Sequence, residues 1–249
     1  VTVGGRSYPK TGTTGDGYPW LAALGHTITP CVPALAPLVL ELPWLRALAG
    51  IAEQDARVSV VDGGRTLAER RRPILCTHTG LSGPGPMDVS RWFELADPSR
   101  PPVLRVDWMP DVPEDRLRAG LDAALAARGA ERLARCVPGE LPARLVEALC
   151  VAAGVDPAAR ASVTPKTARQ AVVLALKRLE LPVAGTRGFD FAEVTAGGVA
   201  LPEVDPLTMG SRLVPGLFLA GEILDVDGPI GGFNFQSAFS TGEVAGRAI

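Results

Sequence analysis

Residues 216–242 read GLFLAGEILDVDGPIGGFNFQSAFSTG, and the order of residue types in this stretch decides the fold. The apolar run Leu217-Phe218-Leu219-Ala220 predicts a strand that ends at Gly221-Glu222. An irregular loop with Asp225 and Asp227 follows, and then Gly231-Gly232, Phe233 and Asn234. Asn234 predicts the N-cap of a helix with Phe235, Ala238, Phe239, Gly242, Ala245 and Gly246 on one face. That face becomes small at its far end, so a backbone or a flat ligand can approach it closely. Strand, carboxylate, Gly-Gly and helix start, in this order, can do two jobs together. The carboxylate accepts hydrogen bonds from sugar-like hydroxyls. The helix start offers unpaired N–H groups and partial positive charge to an acceptor or anion. A flavin asks for both, because its ribityl chain is polyhydroxylated and its reduced ring is anionic near N1. The alternative is an ordinary turn with a capped helix.

Upstream, Phe189–Val194 predicts another strand, running into Thr195-Ala196-Gly197-Gly198, which by itself reads as a tight strand–strand turn. Residues 111–182 read as helical. Leu117, Leu121 and Leu125 recur every fourth residue, as do Leu141, Leu145 and Leu149. Thr164-Pro165 predicts an N-cap and first helical position before a stripe of Ala168, Val172, Ala175, Leu176 and Leu179 that Pro182 ends. From His26 to about Pro110 the pattern is strand-like, at Ala34–Leu40, Ala56–Val61, Pro73–His78 and Val103–Trp108. Asp62-Gly63-Gly64 marks a hairpin. This predicts a small antiparallel sheet or barrel. His78 sits on the polar, Gly-rich loop 77–84, THTGLSGP, where a ring base serves as acid or base or as a hydrogen-bonded structural residue. Residues 1–25 combine a short strand into Gly4-Gly5, a Gly-, Ser- and Thr-rich loop with Ser7 and Tyr8, and a short helix at Gly17–Leu24. The chain begins inside a strand and stops inside a helix, so both ends read as cut.

Composition excludes more than it selects. The 249 residues are 47% hydrophobic, enough for a sizeable core. With 25 basic and 27 acidic residues the net charge is −2, which gives no support to nucleic acid or a membrane surface as partner. The run Arg70-Arg71-Arg72 reads as a solvated strand edge. Cys31, Cys76, Cys136 and Cys150 lack motif spacing and predict free thiols in a reducing cytoplasm. Two histidines, His26 and His78, make a metal site improbable, and none is expected. Gly12, Gly15 and Gly17 run in the reverse of the GxGxxG order, and GxGxxG itself, a P-loop and a GxSxG elbow do not occur.

GGRSYPKTGTTGDGY (4–18), THTGLSGP (77–84), VTAGGV (194–199) with TMGS (208–211), and the stretch 216–242 together resemble the BaiN-like (YhiN-type) FAD-dependent oxidoreductases of bacteria. The resemblance spans nearly the whole chain, and its last motif is the most specific. Two departures stand out. The family's Ala-Thr-Gly-Gly reads Thr2-Val3-Gly4-Gly5 here, and its Gly-Glu before the THxGxSGP strand is Arg71-Arg72.

The resemblance implies an α/β fold with an α+β insert: a partial Rossmann-like FAD-binding domain split by a β-barrel-like domain that itself carries a helical domain. Residues 1–25 and 190–249 would be FAD domain, 26–110 barrel, 111–182 helical domain and 183–189 the barrel return, with the family's N-terminal third and its GxGxxG missing. The implied activity is hydride transfer between flavin and an unidentified small molecule, with NAD(P)H as a donor. Gly4, Gly5, Ser7, Thr195, Gly197, Gly221, Glu222, Asp227, Gly231, Gly232, Phe233 and Asn234 would bind FAD. Glu222 would take ribityl or ribose hydroxyls, and the Gly232–Asn234 N–H groups would face the pyrimidine edge. His78 and Tyr8 would be the catalytic candidates, with Ser7 beside them. A binding module without redox chemistry, lacking the pyrophosphate loop, is the alternative. RNA modification is a third reading, against which the near-neutral charge counts.

Overall fold

The computed structural model describes residues 1–249 and divides them into two compact units, Val1–Pro37 with Met87–Ala96 and Gly185–Ile249, and Leu38–Pro86 with Asp97–Ala184. These limits differ from those read off the sequence. Residues 26–37 join the first unit because Val32–Ala34 pairs antiparallel with Val194–Ala196 and Thr29 exchanges hydrogen bonds with Gly198. Met87–Ala96 joins it because Asp88 and Arg91 bind the 225–232 loop.

The second unit is built on long strands. Six of its strands lie in the order Leu179–Pro182, Val103–Asp107, Ala52–Asp62, Arg65–Cys76, Gly80–Ser82, Leu38–Val39, each antiparallel to its neighbour. The Asp62 hairpin forms as expected, with Gly63 and Gly64 both at positive φ (53° and 88°), which the right-handed strand twist demands of a two-residue turn. Alternation along Ala52–Asp62 buries Val58 and Val60 completely. The sheet is open, not a closed barrel, since Leu179–Pro182 pairs only with Val103–Asp107. Arg71 meets Asp55 and Asp111, so this part of the arginine run is a paired surface edge.

The expected helical domain is not separate from the sheet. Helix Lys166–Arg178 buries Val172, Val173, Ala175 and Leu176, and the Leu176 carbonyl accepts from Trp108 N–H at 2.9 Å beside the strand Val103–Asp107. Lys177 Nζ donates to Asp107 and to the Met109 carbonyl, both at the end of that strand. Helix Glu114–Ala127 points Leu117, Leu121 and Leu125 inward, and Ala143–Ala152 buries Leu145 and Leu149, while Leu141 stays outside the helix. Thr164 hydrogen-bonds back to the Arg160 carbonyl and Pro165 becomes the cap residue, so the helix starts one position later than Thr-Pro predicts.

In the first unit the predicted strand 217–220 is not a strand. Leu217–Ala220 forms no ladder, only one bridge of Phe218 to Gly210 flanked by the bonds Ser211 N–H to Leu217 O and Leu219 N–H to Met209 O, with Val1 bonded to Phe218 O and to Ala220 N–H on the other side. Its apolar side chains still enter a core of Tyr18, Leu21, Val199, Leu219, Ala220 and Ile223. Phe189–Val194 likewise turns at Gly188, and the strand begins only at Val194. The TMGS turn is fastened by buried His26, whose Nδ1 and Nε2 lie 3.0 Å from Glu203 and 2.9 Å from Ser211 Oγ. All four cysteines are free thiols, as expected. No helix is long and apolar enough to cross a membrane.

Leu121 is fully buried between helices, whereas Val163 is 73% exposed. Leu121→Asp is expected to cost at least about 3 kcal/mol, because it leaves an unpaired charge in the core, and Val163→Asp less than about 0.5 kcal/mol. Denaturant midpoints for the two variants check this.

Candidate functional site

The site is assembled around one carboxylate. Ala220 is still extended, and Gly221 (φ 79°) opens a short 3-10 turn that carries Glu222. Glu222 Oε1 accepts from Thr195 N–H at 2.7 Å, and Oε2 accepts from Gly5 N–H at 3.2 Å. Thr195 Oγ1 in turn accepts from Arg6 N–H at 2.8 Å and Ser7 N–H at 3.2 Å, and lies 3.0 Å from Ser7 Oγ. Three segments far apart in sequence are therefore tied by backbone donors that a sheet would otherwise satisfy. Burial pushes the Glu222 carboxyl above the ordinary range, against the pull of the Thr195 and Gly5 N–H groups. Each oxygen of Glu222 thus accepts one N–H from a distant segment and fastens the site.

The same crowding explains Gly5. A Cβ there would lie 2.6 Å from Thr195 Oγ1 and 2.9 Å from the Glu222 carboxyl carbon, so only glycine lets the three segments close.

Beside this knot lies a cavity of about 650 Å3, all of whose lining residues belong to the first unit. Gly4, Tyr8, Gly221, Glu222, Gly231, Gly232 and Asn234 line it together with an apolar wall of Leu35, Val194, Val226, Ile230 and Phe235. Gly5, Ser7, Thr195, Gly197, Asp227 and Phe233 are not among its lining residues. Gly5, Ser7 and Thr195 are the knot behind it, and Gly197 packs against the Pro30 carbonyl, 2.2 Å from where its Cβ would be. His78, on the exposed hairpin loop of the second unit, is also not among them.

The loop before the C-terminal helix is set by polar clamps. Asp227 pairs with Arg91, and burial raises the Asp227 carboxyl while Arg91 opposes the rise. Asp88 accepts from Ile230 N–H at 2.8 Å. Asn234 is not the N-cap: Gly232 (φ 88°) is, and Asn234 stands one residue inside the helix Phe233–Ala248. Its amide instead accepts from Gly228 N–H at 2.8 Å and donates to Gly228 O at 2.9 Å. A Gly-Gly start without a capping side chain leaves the first N–H groups of a 16-residue helix open towards the cavity. The face that carries Phe235, Phe239 and Ala245 is uneven in burial: Ala245 is buried, whereas Phe235 and Phe239 are 74% and 72% exposed.

Tyr8 was not singled out by its backbone in the sequence, yet it stands in the left-handed region (φ 54°, ψ 59°), where an L-residue costs roughly 1–2 kcal/mol. Its N–H bonds Phe189 O at 2.8 Å, and its carbonyl accepts from Thr11 N–H and Thr11 Oγ1, which hold the conformation. Leu35, also on the cavity wall, has φ 50°. Strained residues at a cavity wall are a common mark of a working site.

The family described as "HI0933-like protein Rossmann domain" matches residues 1–248. The chain is 34% identical to the 3-dehydro-bile acid delta(4,6)-reductase of Clostridium scindens over 250 residues, 100% of this chain and 61% of that protein. It is 32% identical to the ribosomal RNA dihydrouridine synthase of Escherichia coli K12 over 244 residues, 97% of this chain and 58% of that protein. The protein of the same name from Haemophilus influenzae is 28% identical over 251 residues, 100% of this chain and 59% of that protein. The chain thus spans about three-fifths of the length of these relatives.

Because the Glu222 carboxyl is raised in the folded state, the folded chain holds that proton more tightly than the unfolded one. This group's contribution to stability therefore falls as pH climbs from the ordinary glutamate value through the raised one. Glu222→Gln is expected to remove that slope and, by setting an amide NH2 against one of the two N–H donors, to cost about 1–3 kcal/mol at neutral pH. Melting of both proteins between pH 4 and 8 checks it; parallel profiles would contradict it.

Proposed function

The chain belongs to the HI0933-like family, and on that premise we propose that it carries the ring-binding and substrate-facing part of an FAD-dependent reductase. The observation that carries the reading is the cavity, with an apolar wall on one side and an uncapped Gly231-Gly232 helix start on the other. That donor set suits a flat heterocycle with an electron-rich edge. No GxGxxG turn accompanies it here, so the residues present fit the ring end of FAD and not its diphosphate.

FAD, when bound, supplies the hydride chemistry, with NAD(P)H as the proposed donor. The residues of this chain bind and orient. Gly4, Gly231 and Gly232 keep side chains out of the ring's place, and the helix N–H groups face its electron-rich edge. Glu222 keeps residues 4–8 and 194–195 in register around it. Leu35, Val194, Val226 and Ile230 exclude water on its apolar side.

The names of the relatives describe one kind of change. Reduction at delta(4,6) and formation of dihydrouridine both add hydrogen across a carbon–carbon double bond. We take that reaction class for this protein. The addition needs a proton as well as a hydride, and we assign it to the Tyr8 phenol, a reading supported by the half-exposed position of Tyr8 on the cavity wall. His78, which belongs to the second unit, stays the other candidate for that proton.

The test uses the full-length protein, desalted after addition of FAD. It should keep the flavin absorbance bands, and Ala238→Phe, which puts a ring into the cavity, should lose at least about tenfold in flavin affinity. Tyr8→Phe should keep the flavin and lower NAD(P)H oxidation driven by a cyclic enone by about 10²-fold or more. A colourless full-length protein would overturn the reading.

A further inference from the structure

The cavity of the first unit is lined by one charged side chain that the protein itself leaves unused. Glu222 is spent on Gly5 and Thr195, and the Asn234 amide is spent on Gly228. Glu193 is the other carboxylate on the lining, and its oxygens accept no hydrogen bond and meet no cation of the chain. Its backbone is fixed all the same. Glu193 N–H donates to Leu35 O at 3.2 Å, one step beyond the pairing of Ala34 with Val194. Leu35 is buried in a cluster with Ala34, Met87, Val194 and Ala196 and turns left-handed there (φ 50°), a conformation that leucine avoids in a free chain. A packed leucine and a strand end thus hold Glu193 at the cavity wall, which Tyr8 also lines. Arg187, the arginine nearest to it in sequence, stacks on the Phe191 ring 3.3 Å from its centroid, and Arg6 stacks on Phe189 at 4.3 Å. Neither guanidinium pairs with Glu193.

The charge of the lining is one-sided. Two carboxylates line the cavity, and no lysine, arginine or histidine does. The helix start at Gly231-Gly232 attracts an electron-rich group, and the flavin edge proposed above takes it. A substrate carboxylate or phosphate in the cavity would face like charge without a counter-ion, an arrangement that suppresses wrong partners. A neutral molecule with an N–H or O–H group would instead meet a free acceptor beside an apolar wall. Resting on the reductase reading above, we propose that Glu193 is the specificity-determining residue of the cavity. Its carboxylate accepts one N–H or O–H of a neutral substrate, sets the carbon–carbon double bond against the flavin and keeps anionic groups out. The names of the relatives describe the bond that is reduced. The lining adds the charge and the donor that the reacting part of the substrate presents.

The experiment uses the full-length protein after addition of FAD and two probes that differ in one group: a cyclohexenone bearing a hydroxymethyl group, and the same ring bearing a carboxylate. Equilibrium dialysis gives the affinity for each probe and needs no flavin, and flavin absorbance is recorded alongside. The wild type should hold the hydroxymethyl probe at least about tenfold more tightly than the carboxylate probe. Glu193→Gln keeps an acceptor and removes the charge. It should hold the hydroxymethyl probe within about threefold of the wild type and the carboxylate probe at least about tenfold better. Glu193→Lys should reverse the preference. Each protein is scored by the ratio of two affinities, so a general loss of folding does not imitate a reversal. Flavin content should be the same in all three proteins. A preference unchanged in Glu193→Lys, or a wild type that takes the carboxylate probe as tightly or takes neither, overturns the role of Glu193, while bound flavin leaves the reductase reading standing. A colourless protein whose preference follows residue 193 does the reverse.

Discussion

Two oxygens of one carboxylate receive N–H groups from Gly5 and Thr195, and the rest of the first unit depends on that convergence. Gly5 lies 217 residues from Glu222 in sequence and Thr195 lies 27. These segments share little regular sheet, since Val32–Ala34 with Val194–Ala196 is the first unit's own ladder. Backbone groups that a sheet would pair are paired instead by Glu222 and by Thr195 Oγ1. A buried carboxylate without such donors would cost several kcal/mol, so charge and donors fix each other's positions.

The cavity follows from the knot. Residues 4–8 can border it only if Gly5 sits against Thr195 with no Cβ between them. Tyr8 reaches the wall only because the chain turns left-handed there, and the bonds to Phe189 and Thr11 pin that turn. On the opposite side, Asp88, Arg91 and Asn234 hold the 225–232 loop so that glycine, not a capping side chain, starts the last helix. Polar side chains thus spend their hydrogen-bonding capacity on shape, and the helix start beside the cavity is left without a capping side chain.

What the sequence showed and what it hid divide along physical lines. Local periodicity was legible: Leu117, Leu121 and Leu125 are buried as spaced, and the Asp62 turn folds as its glycines require. The family resemblance drawn from four motifs agrees with the match over residues 1–248. Leu217–Ala220 misled because an apolar run records burial, not pairing: Leu219 and Ala220 are buried and Leu217 and Phe218 half-buried, held by one bridge and not a ladder. Asn234 misled because the same amide that caps a helix can clamp a loop, and Gly228 is what it met. The bonds Trp108–Leu176 and Lys177–Asp107, which join the helix Lys166–Arg178 to the end of the strand Val103–Asp107, had no signal in the sequence, because periodicity says which face is apolar and not what it meets. The stacks of Arg6 on Phe189 and Arg187 on Phe191 were invisible, since no spacing rule links residues 6 and 189.

Amide hydrogen exchange on Thr195→Val tests the central claim most directly. The substitution keeps the shape of the side chain and removes only the hydroxyl that accepts from Arg6 and Ser7. The account predicts that the amides of Gly5, Arg6, Ser7 and Tyr8 lose protection together with that of Thr195, while the strand Ala52–Asp62 exchanges as before. Loss of protection confined to the neighbours of Thr195, with residues 5–8 unchanged, would contradict it.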